Sequence, residues 1–316
     1  MYCIYTKFDV MKQLLYFISL LIMQASFAQD SLSLKPNKKR VIILSATNAV
    51  VTTSSMAVLY NAWYKGYPAA AFHFFNDNNE WLQMDKAGHV WSAYNISRLT
   101  SESFKWAEYN NKKSYWLGAA SGLAYMSIIE VFDGFSKEWG FSLGDYAANI
   151  TGSAGYLFQQ LHWKEQRIQI KFSSYINNYA NYGLNNRADS IFGKNFFSRT
   201  LKDYNAQTYW LSINIKSFFK QTKLPSWFNV ALGYGANGMF AASSNTVKDD
   251  NGNIIFNRND IARYRQFYLA PDIDFTKIKT HSKFLKTVFF ALNAFKLPTP
   301  ALALSQGCLQ WKWIVF

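Results

Sequence analysis

The sequence predicts an α+β protein: an N-terminal bundle of about four apolar helices, followed by a C-terminal antiparallel sheet with a packed helix. Three observations carry this reading. Residues 41–64 contain no charged side chain, and two later apolar runs are studded with Gly, Ala and Ser. After Lys164 the pattern changes to polar–apolar alternation, the period-2 signature of strands. The charge divides at the same place: residues 1–40 carry net +4, 41–163 net −2 and 164–316 net +12, within a formal total of +14. Only 16% of the 316 residues are charged while 50% are hydrophobic, whereas about a quarter are charged in soluble domains. That much apolar surface excludes a disordered chain and points to a membrane or cell-envelope protein. The two cysteines, Cys3 and Cys308, exclude a disulfide scaffold and a cysteine zinc site.

The first 28 residues read as a secretory signal peptide: Met11-Lys12, an apolar run over 14–23, and small residues at Ser26 and Ala28 before the cleavage point. Residues 1–10 could precede the true start at Met11. The alternative is an uncleaved anchor, although the apolar run is short for a span of about 20 residues. No cysteine follows it, so no lipid attachment is expected. Export leaves nucleic acid out of the expected partners. It directs the basic half toward a membrane or envelope component, with a protein partner and oligomeric state left open. The expected location is the periplasm or envelope membrane of a Gram-negative bacterium.

Residues 29–40 read as a basic linker. The stretch 41–64 fits a membrane span, or else a buried helix of a soluble bundle. Gly66-Tyr67-Pro68 breaks it, and an aromatic loop follows over 72–81. Residues 85–106 read as an amphipathic helix, 110–113 as a turn, 115–132 as a third helix with Gly118 and Gly122, and 145–163 as a fourth with Gly152 and Gly155. Glycine costs about 1 kcal/mol against alanine in a helix, so close helix packing is expected to offset it. The domains are therefore a helical membrane-associated part, 41–163, and a basic β-rich part, 164–316.

Strands are expected over 167–172, whose alternation fits one buried face, and over 209–216, 227–240, 264–275 and 309–316. A hairpin-type loop is expected at 249–253 and a helix at 283–295, stopped by Pro298-Thr299-Pro300. The terminal Phe316 resembles outer-membrane barrels, but five or six strands are fewer than the eight of the smallest single-chain barrels.

The sharpest chemical feature is a set of ionisable groups among apolar helices. Asp85 and His89 stand at i and i+4, Glu130 and Asp133 at i and i+3, and Asp145 and Asn149 at i and i+4. A carboxylate beside imidazole orients the ring and raises its basicity. A second carboxylate could hold a cation or act as an acid/base partner. His89, Asp85, Glu130 and Asp145 are thus the catalytic candidates, and Asp133, Asn149 and Lys86 the ligand-binding ones. Each also has a plain reading: Asp85 as a helix cap, His89 as a core histidine, Asp145 offsetting a helix dipole, Lys86 pairing with a carboxylate. No metal site and no cofactor is expected, since no dense ligand motif or nucleotide fingerprint occurs. His73 reads as packing.

The run Phe72-His73-Phe74-Phe75-Asn76-Asp77-Asn78-Asn79-Glu80-Trp81-Leu82-Gln83-Met84-Asp85-Lys86-Ala87-Gly88-His89 resembles the uncharacterised family of predicted periplasmic proteins called YfiM-like, domain of unknown function 2279. So do the run from Glu130-Val131-Phe132-Asp133-Gly134 to Trp139-Gly140-Phe141-Ser142 and Asp145-Tyr146-Ala147-Ala148-Asn149. The likeness runs from about Lys39 to the C-terminus, in the form found in Bacteroidetes-type bacteria. It implies an envelope protein and carries no activity. Asp85, Lys86, His89, Glu130, Asp145, Asn149 and Gly152 are also similar to the pattern of the VanZ-like membrane family. That family shows Gln where Asp133 stands here, and an Arg before the last Asp where Lys137 is the nearest cation.

Two functions are consistent with these residues. One is a binding or structural envelope protein with a polar pocket in its helical domain. The other is an enzyme acting on a lipid-linked or cell-wall substrate, with His89 as acid/base, Asp85 orienting it, and Glu130 or Asp145 as second carboxylate.

Overall fold

The structure is a computed structural model describing residues 35–179, 181–249 and 251–316. The expected signal peptide lies outside the described residues. The chain forms two compact units: residues up to Asn76 with Ile96–Leu161, and Asp77–Asn95 with His162–Phe316.

The first unit is helical. Helix α1, Lys38–Leu59, begins inside the stretch expected as linker, because the Asn37 side chain caps it by accepting from Arg40 N at 3.3 Å. It is long and apolar enough to cross a membrane by length and composition, yet only 11% of its most apolar window is buried. Ile42, Val50, Val51 and Val58 are all exposed. Helix α2, Met84–Trp106, completes its course in this unit. Helix α3, Asn111–Gly134, starts four residues before the expected 115, because Asn110 is an N-cap that accepts from Lys113 N at 2.8 Å. The expected turn at 110–113 is thus a cap and a first helical turn. Helix α4, Leu143–His162, is capped by Ser142 Oγ, which accepts from Asp145 N at 3.1 Å.

The glycines of these helices divide into two kinds. A Cβ on Gly118 would stand 2.6 Å from Ser97 O and from Ser101 Cβ, so α2 and α3 touch backbone to backbone there, as expected. Gly155 has nothing within 4 Å and serves no close packing.

The second unit is built on a six-stranded antiparallel sheet, ordered β1-β2-β3-β6-β7-β8. Its strands are β1 Ile168–Ser174, β2 Gln207–Asn214, β3 Phe228–Asn237, β6 Tyr264–Ile273, β7 Thr299–Ser305 and β8 Cys308–Val315. Between β1 and β2 come helices α5, Tyr182–Phe192, and α6, Phe196–Lys202; the turn α7, Ile215–Phe218, follows β2. Strands β4, Thr246–Lys248, and β5, Ile254–Asn257, make a separate hairpin around the expected loop. Helix α8, Lys283–Leu292, precedes β7. Helices first, then an antiparallel sheet with a packed helix, is the expected α+β order. β1 and β8 are the sheet edges, so the strands do not close into the eight-stranded ring of a single-chain barrel.

Two features of the sheet were not anticipated. The helix ends at Leu292 with Asn293 as its C-cap, and Pro298-Thr299-Pro300 instead starts a strand: the β7–β8 register shifts between Thr299 and Ala301, which accommodates Pro300 at a bulge. And the apolar face of the sheet is not the buried one. Paired across five strands, Leu211, Leu232, Leu269, Leu302 and Trp311 form one row, exposed by 47, 48, 44, 38 and 53%. Phe267, Leu304 and Leu309 make an exposed row beside it.

The opposite face is buried and holds small or polar side chains. Ala231, Ala270, Ala301 and Ala303 pack with Trp210 and Tyr268. Lys171 Nζ pairs with Asp272 Oδ2 at 2.8 Å, and Ser212 Oγ donates to the same oxygen at 2.6 Å. Asn229 Nδ2 donates to Ser212 Oγ at 2.8 Å, and Asn214 Nδ2 to Asn229 Oδ1 at 2.6 Å. Soluble sheets bury the apolar face and wet the polar one; this sheet does the reverse.

Candidate functional site

Asp85, Lys86 and His89 belong to the sheet-bearing unit, and Glu130, Asp133, Asp145 and Asn149 to the helical unit.

In the sheet-bearing unit, the group is built on the turn that starts α2. Trp81, Leu82 and Gln83 all have positive φ, +46°, +50° and +61°, in the left-handed region that non-glycine residues avoid. Three successive residues are held there by surrounding contacts. Trp81 N donates to Ala242 O at 2.8 Å, Tyr234 Oη donates to Leu82 O, and Arg265 Nη2 donates to Gln83 Oε1 at 2.6 Å. The Trp81 ring packs on Phe192 and Tyr204. Strained backbone kept in place by so many partners is a property of functional sites. It aims α2 so that Asp85 falls in the first helical turn and His89 one turn later.

Lys86 bridges two carboxylates: Nζ lies 2.5 Å from Asp77 Oδ1 and 3.0 Å from Asp85 Oδ2. Burial pushes the Asp85 carboxyl above its ordinary value, against the pull of Lys86; Asp77 adds to the rise and His89 opposes it. Asp85 Oδ1 is buried without a hydrogen-bond partner among the described residues. Burial also raises Glu80, with Asp77 and Asp85 contributing. The cluster is therefore Asp77, Glu80, Asp85, Lys86 and His89. Gly88 belongs to it sterically, since a Cβ there would meet Tyr209 Oη at 2.9 Å. Asp77 and Glu80 were missed in the sequence because they lie in the aromatic loop, where no periodicity ties them to Asp85.

This geometry makes a pH prediction. A carboxyl whose folded pKa is raised contributes stability that is present in acid and lost as pH rises through the folded value. Asp85→Asn should therefore gain on the wild type in melting temperature as pH goes from about 4 to 7, with Lys86 still held by Asp77. A difference that stays flat over that range would show that Asp85 titrates normally.

In the helical unit, Glu130, Asp145 and Asn149 are buried on α3 and α4. Glu130 Oε2 accepts from Ser142 N at 3.3 Å. Ser142 in turn caps α4 through Asp145 N, so Glu130 is tied to a helix N-terminus, where a carboxylate is electrostatically favoured. Asp133 accepts from Tyr64 Oη at 2.7 Å. Burial, then Asp133, then Glu130 keep the Tyr64 hydroxyl well above the ordinary tyrosine range, so it donates throughout the physiological range. The Asp133 position expected for a ligand thus ties α3 to the residues after α1. Asn149 sits one turn beyond Asp145, fully buried. His73, read as packing, is a bridge: its Nδ1 lies 3.1 Å from Ala71 O and its Nε2 2.9 Å from Trp139 O.

A further polar assembly was not anticipated: the inward Lys171, Ser212, Asn214, Asn229 and Asp272. Its only signal was polar residues at alternate strand positions. Beside it, Phe172, Tyr175, Phe196, Phe295 and Phe316 line a cavity of about 250 Å³, below the range of about 300–1,000 Å³ usual for ligand pockets.

Comparison with curated proteins and with solved structures finds no match. Residues 73–160, which contain both carboxylate groups, match the model of the family described as predicted periplasmic lipoprotein, domain of unknown function 2279, the uncharacterised family that the motifs resemble.

Proposed function

We propose that this exported envelope protein works in contact with lipid, in a binding or structural role, with the polar cluster at the start of α2 as its recognition element. The observation that carries the reading is the inverted sheet. Its outward row Leu211–Leu232–Leu269–Leu302–Trp311 is apolar, and its inward face sets alanines and polar groups around Trp210 and Tyr268, close to the alternation that lipid rather than water selects. The exposed apolar surface of α1 supports the same reading. The protein should sediment with membranes, resist a high-salt wash and leave with detergent. Release into the soluble periplasmic fraction would overturn the proposal.

A second reading is an enzyme acting on a lipid-linked or cell-wall substrate. It is favoured by Asp85, whose buried Oδ1 has no hydrogen-bond partner among the described residues and whose pKa is raised by burial; such perturbed groups suit acid/base work. In a complemented deletion strain at normal protein levels, His89→Ala should then abolish the phenotype. Full complementation by His89→Ala would leave the binding role alone.

A further inference from the structure

The antiparallel topology sorts the connections of the sheet into two sets, one at each end. The ends of the strands near residues 168, 214, 228, 273, 299 and 315 lie together. The segments 164–167, 215–227 and 274–298 at that end hold ten Lys/Arg against two acidic residues, net +8. The segments 175–206, 238–263 and 306–307 at the other end hold seven against five, net +2. The basic character of the C-terminal half is thus concentrated at one end of the lipid-like sheet face.

Not all ten cations are available. Lys296 is buried, with Nζ donating to Thr299 Oγ1 at 2.6 Å, and Lys277 and Arg167 both pair with Glu165. Lys220, Lys223, Lys279, Lys283 and Lys286 are exposed. Between them stand exposed aromatics: Phe218, Phe219, Trp227 and Phe284, the last 74% exposed. Helix α8 carries two of the lysines and Phe284, and none of its residues is buried. It is held through Phe289, whose ring centroid is 6.1 Å from that of Phe275. A short helix with lysines and an outward phenylalanine suits the plane between headgroups and acyl chains. Exposed lysines beside Trp and Phe at the end of an apolar sheet face make the same interfacial girdle.

We propose that this end of the sheet docks on a membrane surface through anionic lipid headgroups, with α8 lying in the interface. The proposal rests on the lipid-facing reading of the sheet and names the headgroup chemistry it meets. Charge complementarity selects phosphate-bearing anionic lipid over zwitterionic lipid, at roughly fivefold in partitioning per lysine.

The test is flotation of the full-length protein with vesicles of an equal phosphatidylglycerol–phosphatidylcholine mixture and with pure phosphatidylcholine vesicles. Binding to the mixture should be much stronger, and salt should screen away that excess, with a reach of about 10 Å at 0.1 M, while the binding common to both vesicles persists. The triple reversal Lys279→Glu, Lys283→Glu, Lys286→Glu should lower binding to the mixture about a hundredfold. Lys194→Glu with Lys248→Glu, at the opposite end, should leave it unchanged. Phe284→Ser keeps the charge and provides a second variant, expected to weaken binding to both vesicles. Equal binding of wild type to both vesicles, or a triple variant that binds normally, overturns the headgroup proposal while leaving the lipid-facing reading standing. Failure to bind either vesicle removes both. Displacement from the mixture by soluble polyphosphate as effectively as by lipid would assign the surface to a polymeric anion instead.

Discussion

Asp272→Ala is expected to cost about 3–5 kcal/mol of folding stability, the range for stranding a buried charge. Asp272 is nearly inaccessible and Lys171 wholly so, and the carboxylate also accepts from Ser212. Removing it breaks the ion pair of Lys171, whose Nζ also donates to Ile273 O at 2.6 Å, and takes away an attraction felt by Lys296. Burial lowers Lys296 to about 8, with Asp272 opposing that fall. A lysine with a lowered folded pKa makes the folded state bind fewer protons than the unfolded chain between the two values. Without Asp272 the Lys296 value falls further, so the variant's stability should recover as pH rises from below about 8 toward the ordinary lysine value. Denaturant unfolding in detergent, followed by the buried Trp210, reads both effects. The paired replacement Lys171→Met, Asp272→Leu should be far milder than the single one, because it removes both charges together. A single-variant loss below about 1 kcal/mol, or a double variant as unstable as the single, would show that the pair is hydrated rather than buried.

How much of this was legible in the sequence depends on the element. Helices α2, α3 and α4 were legible because apolar runs and glycines leave a clear trace. Their starts were misplaced where a side chain supplies the cap, as Asn110 does for α3 and Ser142 for α4. Strands β1, β2, β3, β6 and β8 announced themselves by alternation. Strand β7 did not, because Ala301-Leu302-Ala303-Leu304 is composed of helix-forming residues; its Ala-in, Leu-out alternation becomes meaningful only once it is paired between β6 and β8. The larger lesson concerns direction. A period of two identifies two faces and does not say which one is buried. The usual assumption, apolar inward, misplaces the leucine row and Lys171, Ser212, Asn229 and Asp272, while it holds for Trp210 and Tyr268.

The candidate site was half legible. Asp85, Lys86 and His89 share one helix, and local spacing sufficed to associate them. Asp77 and Glu80 join them only through a left-handed turn made of Trp81, Leu82 and Gln83, three residues that give no sequence hint of positive φ. Glu130 and Asp133 stood out in the sequence by their spacing, but their partners, Ser142 N and Tyr64 Oη, lie 12 and 69 residues away. Spacing rules do not reach across such separations, so anchoring roles and chemical roles looked alike.

Leu232→Arg separates a lipid-facing sheet from a wet one more sharply than any loss-of-function variant. Leu232 lies in the third strand, with Leu211 on one side and Leu269 on the other. On a water-exposed surface, replacing a half-exposed leucine by arginine stays within about 0.5 kcal/mol of neutral. Against acyl chains the same change costs about 2–4 kcal/mol at the bilayer midplane and little near the interface. The reading of this face as lipid-facing therefore predicts a large loss of stability in phosphatidylcholine vesicles, partial rescue in detergent, and a protein that still folds. Leu309→Arg, on the exposed edge strand β8 and beside the tight turn at Gln306-Gly307, should cost less if depth controls the penalty. Equal, negligible effects at both positions would mean that water covers the face. A change in oligomer size with unchanged membrane partitioning would mean that a second copy does. Only lipid makes the penalty depend on depth along the strand, because neither water nor a protein partner grades its polarity in that way.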